Sequence, residues 1–385
     1  MGYDFTIDDV DYLRSAEGIA ALTRTAESEL STRTRLADIG RARTRFGDRA
    51  GLLIETVLLR RKAEAKLSGA ESWLFTDDAL QQATPLVVAR HRGQRLAGRR
   101  VHDVTCSIGA ELSALVPVAD TVIGSDLDPV RLAMASHNVP GATLVRADAL
   151  RPCTRDTVVI ADPARRSGGK RTHDPAALMP PLPDLLDVYA GRDLAVKCAP
   201  GLDFDRLDWD GEVEIVSLDG GVREACLWSP GLSGAGVRRR ASVLRSDGTS
   251  WELTDAESDD IPDREPGEWI IDPDGAVVRA GLVRHYAARH GLWQLDPRIA
   301  YLTGDSVPDG VRGFRVLARL KYTEKALRQE LAARDCGSAE ILVRGLDIDP
   351  AVLRPRLKLR GTTPMSVVLT RIGRTPVAFV CAARD

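Results

Sequence analysis

Four aspartates, each at the end of a short apolar run, are the residues whose type and spacing point most clearly to chemistry. They are Asp103, Asp126, Asp148 and Asp162. Asp103 and Asp126 stand 23 residues apart, which is the length of one strand–helix–strand step. In nucleotide-binding sheets, a carboxylate at the end of the second strand accepts hydrogen bonds from ribose hydroxyls. We therefore predict that one sheet edge gathers these carboxylates around a nucleotide-like ligand.

A turn of small residues follows the first of these apolar runs. Residues 106–109 read Cys-Ser-Ile-Gly, and a helical pattern begins at Ala110. A strand, a tight turn and a helix present backbone N–H groups and a helix N-terminus to a ligand. Gly109 lacks a Cβ, so it permits a close approach between the backbone and that ligand.

With these acidic strand ends in this order, the sequence resembles the class I S-adenosylmethionine-dependent methyltransferases, and among them the trimethylguanosine-synthase-like and RNA methyltransferase-like enzymes. The turn departs from the family's usual form at Ser107 and Ala110, where many members carry glycine. The resemblance implies S-adenosylmethionine as the cofactor, with Asp126 binding the ribose and Asp148 the adenine amino group. The cofactor-binding residues that it implies are Asp103, Cys106, Gly109, Asp126 and Asp148.

A segment upstream of the turn matches one that lies over the cofactor pocket in the trimethylguanosine-synthase-like group. By that resemblance Phe75, Thr76 and Gln82 could line the site. Burial of Phe75 in a hydrophobic core is the alternative, because aromatic side chains are often buried.

The fourth acidic strand end, Asp162-Pro163, resembles the Asp/Asn-Pro-Pro-aromatic motif of amino-group methyltransferases. There the acidic side chain and a backbone carbonyl orient the target amine, so the resemblance implies Asp162 and Pro163 as catalytic residues. Ala164 and Arg165 replace the second proline and the aromatic residue. An Asp-Pro-Pro-Arg variant occurs in families that methylate ring carbons, which leaves both targets open. Carbon methylation would need a cysteine nucleophile, and Cys198 is the candidate, with a buried structural thiol as the alternative.

Four cations follow this motif directly, at Arg165, Arg166, Lys170 and Arg171. We expect them to contact the phosphates of a nucleic-acid substrate, because they adjoin the motif that should face the target. A solvated loop is the alternative. A second basic run, residues 59–66, is interpreted as a solvated helix face, with contact to a nucleic-acid backbone as the alternative.

Alternation of strands and helices over residues 101–245 predicts an α/β fold with a Rossmann-like, doubly wound sheet. The predicted strands cover residues 101–104, 121–125, 143–146, 157–161, 193–198, 213–218, 223–228 and 241–244. We expect a helical region at 1–70, the methyltransferase domain at 71–245, and an acidic linker with a helix over 276–289 at 246–310. A small α+β domain would then span 311–385.

The carboxyl-terminal segment is basic, whereas the linker before it is acidic. Residues 241–280 carry 3 basic and 11 acidic side chains, and residues 311–385 carry 15 basic and 7 acidic. Strict alternation over residues 355–360 predicts an extended chain with its cations on one face. A strand over 314–320, a helix over 324–334, a strand over 341–343 and a hairpin around Gly373 complete the predicted domain. This region resembles the THUMP-like domain of a group of bacterial methyltransferases, which implies RNA, tRNA or rRNA, as the partner.

Composition bounds the remaining possibilities. The chain has 385 residues, 44% of them hydrophobic and 28% charged, and its net charge is −2. No apolar run approaches the ~20 residues that cross a bilayer, and the acidic start does not resemble a signal peptide. The six cysteines form no Cys-x-x-Cys pair and the histidines lack ligand spacing, so we predict no metal and no disulfide framework. Reduced thiols favour a cytoplasmic protein with no membrane partner.

The resulting hypothesis is an S-adenosylmethionine-dependent methyltransferase that acts on a base in structured RNA. Two alternatives stay open at this point: a non-catalytic RNA-binding protein that keeps the fold, and a small-molecule methyltransferase. The sequence makes no prediction of the oligomeric state.

Overall fold

The computed structural model describes residues 2–164, 166–167, 170–171 and 174–383. The chain divides into two compact units. The first comprises residues 1–212 and 224–233, and the second comprises residues 213–223 and 234–385. Among the described residues, no helix is both long enough and apolar enough to cross a membrane.

The first unit begins with six α-helices and then alternates strands with helices, whereas the second unit is richer in strands. The α-helices are α1 (Ile7–Arg14), α2 (Ala16–Ala26), α3 (Arg35–Phe46), α4 (Ala50–Ala63), α5 (Asp77–Gln82), α6 (Leu86–Gln94), α7 (Ala110–Leu115), α8 (Pro129–Asn138), α9 (Leu182–Val188), α10 (Gly275–Arg279), α11 (Val283–His290), α12 (Glu324–Ala333) and α13 (Pro350–Leu357). The strands are β1 (Arg100–Asp103), β2 (Thr121–Asp126), β3 (Thr143–Arg146), β4 (Val158–Ala161), β5 (Arg166–Ser167), β6 (Lys170–Arg171), β7 (Leu194–Cys198), β8 (Glu212–Leu218), β9 (Gly221–Trp228), β10 (Arg239–Leu244), β11 (Ser250–Thr254), β12 (Trp269–Asp272), β13 (Trp293–Asp296), β14 (Ile299–Gly304), β15 (Arg312–Lys321), β16 (Cys336–Val343), β17 (Thr363–Ile372) and β18 (Thr375–Ala382). Short 3-10 helices span Gly47–Arg49, Pro175–Ala177, Phe204–Arg206 and Pro230–Leu232.

The sheet of the first unit runs in the order β9-β7-β4-β1-β2-β3. All neighbours are parallel except β7 and β9, which pair antiparallel. Strands β4 and β7 are buried along their whole length, as expected for central strands covered on both faces. The order reverses at β1, so the crevice beyond its carboxyl end is the expected ligand site. The predicted α/β fold with a parallel, doubly wound sheet is confirmed.

The amino-terminal helices share a hydrophobic core with the turn that follows β1. Leu53 of α4 and Leu80 of α5 belong to the same buried cluster as Ile108 and Ala110, which lie in and after the turn. Met134 of α8 completes the contact. Apolar packing against α4, α5 and α8 therefore supports the turn after β1.

The basic run at the end of α4 bonds the first unit together rather than forming a simple solvated face. Arg60 donates to the carbonyl oxygens of Trp73 and Ser72 at 2.9 and 2.6 Å. Arg61 donates to the carbonyl oxygens of Ala26, Ser28 and Glu29, and Lys66 donates to two carbonyl oxygens at the end of α5. The acceptors at the ends of α2 and α5 are carbonyl groups of the kind that helix ends leave without an intrahelical partner.

In the second unit, β10 pairs parallel with β8 and antiparallel with β11. A seven-stranded sheet runs in the order β13-β14-β12-β15-β18-β17-β16 and is antiparallel except for the β16–β17 pair. Leu327 and Leu331 of α12 and Leu353 of α13 pack with the sheet in one core. The predicted strand β15, helix α12 and hairpin β17–β18 are all present, with Gly373 in the hairpin turn at a φ of 60°.

Two predictions for the second unit were wrong. Residues 355–360 do not form an extended chain, because α13 ends at Leu357 and Lys358 follows it in a left-handed conformation. Asp349 caps this helix and Pro350 occupies its first turn, and both are helix start signals. The single helix over 276–289 is two helices, α10 and α11, separated at Gly281, which has a φ of 76°.

Candidate functional site

A cavity of about 650 Å³ lies beyond the carboxyl ends of β1, β2 and β4, within the first unit. Its volume falls in the usual range of ligand pockets. All four predicted aspartates, Asp103, Asp126, Asp148 and Asp162, line it. The parallel register explains this convergence, since neighbouring strands end at the same edge of the sheet.

Asp126 organises two loops at the cavity wall. Its Oδ2 accepts from the backbone N–H of Ser107, and its Oδ1 accepts from the N–H of Asp128, both at 2.9 Å. Ser107 and Gly109 have φ values of 48° and 87°, so the turn after β1 is left-handed at both positions. Each carboxylate oxygen keeps a further lone pair for a ligand hydroxyl.

Asp148 stands on the same side of the cavity, after β3. Its Oδ1 accepts from the N–H of Leu150 at 2.9 Å. Ala149, Leu150 and Leu127 also line the cavity, so apolar side chains lie next to the two carboxylates. This combination of a flat apolar surface and hydrogen-bond acceptors suits a purine ring and its amino group.

Asp103 is the most buried of the four carboxyl groups, with a 3% exposed side chain. Burial raises the pKa of its carboxyl to about 7, although a hydrogen bond from the Thr105 N–H at 3.0 Å acts in the opposite direction. The nearby Glu111 carboxylate raises the pKa further. Asp103 therefore changes its charge near neutral pH.

Asp162 is held at two points. Its backbone N–H donates to Thr105 Oγ1 at 2.7 Å, and its Oδ2 accepts from Lys197 Nζ at 2.5 Å. The Asp162 side chain is 41% exposed, whereas that of Lys197 is only 8% exposed. Pro163 follows as a buried residue. Lys197 thus holds one carboxylate oxygen of Asp162 at the cavity wall, and the other oxygen accepts no hydrogen bond from the described residues.

Behind Lys197 lies a buried cluster of charged side chains that the sequence analysis did not identify. Arg92 of α6 donates to Glu224 Oε1 of β9, with one of the two bonds at 2.9 Å. Arg92 Nε is 3.5 Å from Glu111 Oε1, and Lys197 Nζ is 3.9 Å from Glu111 Oε2. The sequence did contain a signal, because Lys197 is the one charged residue in the otherwise apolar strand β7, and charged residues are seldom buried without a partner.

The structure places the remaining candidates as follows. Cys106 lines the cavity, and Gly109 directly precedes α7 in its turn. Gln82 lines the cavity as well, whereas Phe75 is packed in the core and Thr76 caps α5. Cys198 is buried, and its Sγ lies 3.7 Å from the carbonyl oxygen of Val196.

The side chains of the four cations after the Asp162 motif are not among those that the structure describes. Arg165 is outside the described residues. For Arg166, Lys170 and Arg171 only the backbone is described, as the antiparallel pair of β5 and β6. Their contact with a substrate stays a prediction.

Comparison with known proteins identifies the family. The chain is 60% identical over 353 residues to an uncharacterized S-adenosylmethionine-dependent methyltransferase of Mycobacterium tuberculosis (strain CDC 1551 / Oshkosh), with 88% of this chain and 98% of the relative covered. The same protein of strain ATCC 25618 / H37Rv matches equally. The chain belongs to the S-adenosylmethionine-dependent methyltransferases. The predicted family, enzyme class and cofactor are thereby confirmed.

Two further comparisons concern the fold of this methyltransferase. A solved structure of a candidate methyltransferase from Porphyromonas gingivalis W83 superposes with a TM-score of 0.74 at 19% identity, covering 96% of this chain and 99% of that chain. Residues 311–383 match the THUMP domain-like family. The predicted THUMP-like domain is confirmed, and it contains the strands β15 to β18 and the helices α12 and α13.

The residues of the cavity fit S-adenosylmethionine. We assign Asp126 to the ribose hydroxyls and Asp148 to the adenine amino group, whereas Gly109, expected near the amino-acid tail, is not among the described residues that line the cavity. When bound, the cofactor supplies a methyl group activated by a sulfonium. The protein's task is then to bind, orient and exclude water. These individual roles are our assignments.

We expect the affinity for S-adenosylmethionine to fall about tenfold between pH 8 and pH 6. Asp103, whose pKa is about 7, is mostly ionised at pH 8 and mostly protonated at pH 6, and the cationic cofactor favours the ionised form. Calorimetric titration across this interval measures the effect. The Asp103→Asn variant, which cannot ionise, should bind more weakly at pH 8 and lose the slope. A slope retained in that variant would assign the titration to another group.

Proposed function

We propose that this methyltransferase modifies a base in structured RNA, either tRNA or rRNA. The observation that carries the proposal is the THUMP domain-like segment at residues 311–383. THUMP domains are RNA-binding modules, and a small-molecule methyltransferase would have no use for one. The excess of 15 basic over 7 acidic side chains in residues 311–385 supports the same partner.

Exposed cations of the second unit lie on α12, on α13 and just after α13. Lys325 of α12 and Arg356 of α13 are exposed, as are Lys358 and Arg360 just after α13. Because Lys358 adopts a left-handed conformation, the chain turns there, so that Lys358 and Arg360 follow the C-terminus of α13. Positive charge at a helix C-terminus is itself stabilised by the helix dipole. The surface suits the phosphate backbone, which dominates affinity for nucleic acids.

Asp162 is the residue that we assign to the target base. A carboxylate oxygen aimed into the cavity accepts a hydrogen bond from the reacting nitrogen and thereby orients its lone pair towards the methyl donor. Flipping the base out of its stack would bring it within reach. Lys197, not Cys198, is the strand β7 side chain that lines the cavity, which favours nitrogen over a carbon that needs a thiol nucleophile.

The direct test is an assay of the purified protein with labelled S-adenosylmethionine and total RNA from cells that lack it. Incorporated label is then assigned by nucleoside mass analysis. We expect one base-methylated nucleoside to appear. Label found only on ribose, or only in a small-molecule fraction added in parallel, would overturn the proposal.

Reversing the charge at the end of α13 should weaken RNA binding. We expect the triple variant Arg356→Glu, Lys358→Glu, Arg360→Glu to bind total tRNA at least tenfold more weakly and to show a shallower salt dependence, because each lost phosphate contact reduces the slope by about one. Filter binding at several salt concentrations measures both quantities. The matched control replaces three exposed arginines of the first unit, Arg14, Arg24 and Arg35, by glutamate. An equal loss in the control would mean that net charge, not this surface, sets the affinity.

A further inference from the structure

Lys197 is a cation in a place where an isolated cation would be unstable. It lies in the buried strand β7, its side chain is 8% exposed, and its Nζ is 2.5 Å from Asp162 Oδ2. Burial lowers the pKa of the ammonium, but the carboxylates of Asp162, Glu224 and Glu111 more than offset this, so that the pKa is raised. Lys197 is therefore protonated at neutral pH.

The position of Lys197 is fixed from behind by side chains that are themselves buried. Glu111 Oε2 lies 3.9 Å from its Nζ, and Arg92 joins Glu111 to Glu224 across the cluster. Neither carboxylate oxygen of Glu111 has a hydrogen-bond partner among the described residues. Desolvation raises the pKa of Glu111, while Arg92 and Lys197 act to lower it. These opposing effects leave the pKa of Glu111 raised overall, and its carboxyl group lies against the ammonium without a directed hydrogen bond among the described residues.

Resting on the function proposed above, we propose that Lys197 is a positioning residue. It holds Asp162 in one orientation, with Oδ2 bound to the ammonium and Oδ1 free for a neutral N–H group of the target base. Both ends of Asp162 are then fixed, since Thr105 Oγ1 accepts from its backbone N–H at 2.7 Å. The conformational entropy of the Asp162 carboxylate is therefore already lost in the folded protein, before the substrate binds.

The ion pair between Lys197 and Asp162 also discriminates between neutral and cationic target groups. An isolated carboxylate attracts ammonium and guanidinium groups, but one already paired with Lys197 has most of its charge neutralised. It then serves as a hydrogen-bond acceptor for neutral groups. Nucleobase amino and imino groups are neutral, whereas lysine and arginine side chains are cations. The paired Asp162 therefore favours a base over a protein side chain.

Substitution of Lys197 tests the proposal. We expect Lys197→Ala to reduce kcat for methylation of total RNA at least 50-fold, while the RNA concentration at half-maximal rate and the dissociation constant for S-adenosylmethionine change less than threefold. Ethylamine at millimolar concentrations should restore at least a tenth of the lost rate, because it can return an ammonium to the vacated space. A purely structural residue would give no such recovery.

Two further variants guard against misfolding. In the double variant Lys197→Ala, Glu111→Gln, the second substitution also replaces the buried carboxyl group that would otherwise have lost its neighbour Lys197. This variant should fold and show the same kcat defect as Lys197→Ala. The matched control is Lys62→Ala, which breaks a lysine–aspartate pair of similar length, 2.6 Å from Lys62 Nζ to Asp77 Oδ1, outside the cavity. Its kcat should be unchanged.

The outcomes separate this proposal from the proposed function. If the unaltered enzyme methylates no RNA, the function fails. If it methylates RNA and Lys197→Ala retains its kcat, or loses activity only through weaker cofactor binding, the role of Lys197 is overturned while the function stands.

Discussion

Asp162→Ala should abolish most methyl transfer and leave the cofactor in place. We expect kcat to fall about 100- to 1,000-fold, the range seen when one aligned hydrogen-bonding group is removed from a transition state. The dissociation constant for S-adenosylmethionine should change less than threefold, because Asp126 and Asp148 line other parts of the cavity wall. Single-turnover transfer to total RNA and calorimetric titration measure the two quantities.

A surface aspartate provides the control for this substitution. Asp184 lies in the first turn of α9 and is exposed, so Asp184→Ala should keep full activity. Turnover by Asp162→Ala equal to that of the control would remove Asp162 from the reaction. A loss of cofactor affinity as large as the loss of rate would instead make it a cofactor-binding residue.

Asp126→Ala should have the opposite profile, with cofactor binding as the property that fails. We expect the dissociation constant for S-adenosylmethionine to rise about 100-fold or more. Two charge-assisted hydrogen bonds to the ribose are worth about 1.5–3 kcal/mol each, and about 1.4 kcal/mol corresponds to a factor of ten. The change also leaves the N–H groups of Ser107 and Asp128 without their acceptor, which loosens both loops.

The neighbouring Asp128 distinguishes these effects. It caps α8 by accepting from the N–H groups of Val130 and Arg131. Asp128→Ala should cost about 1 kcal/mol of stability through the lost cap, visible in the midpoint of thermal unfolding, and should leave cofactor affinity within threefold. An unaltered dissociation constant in Asp126→Ala would contradict the ribose assignment.

Much of the catalytic unit was predictable because its strands are strongly marked. Apolar runs that stop at an acidic residue define β1, β2 and β4, and their parallel register brings Asp103, Asp126 and Asp162 to one edge. This convergence follows from the geometry of parallel sheets alone. The resemblance to the methyltransferases that the sequence analysis noted rested on the same residues.

The buried charges behind the site were not predicted, because they depend on contacts between distant parts of the chain. Arg92 and Glu224 are 132 residues apart, and no local pattern relates them. The wrong prediction for residues 355–360 has a different cause. Six alternating residues are too few to decide between an extended chain and a helix, whereas the cap at Asp349 and the spacing of Leu353 and Leu357 support the helix.

The shared core beneath the turn couples two events that seem unrelated. Ile108 and Ala110 pack with side chains of α4 and α5, so any local unfolding of the amino-terminal helices must release the turn that Asp126 secures. A ligand that binds only the folded turn should therefore protect those helices from proteolysis and amide exchange. We therefore expect the structural order of the first eighty residues to increase with the fraction of protein that has bound the cofactor.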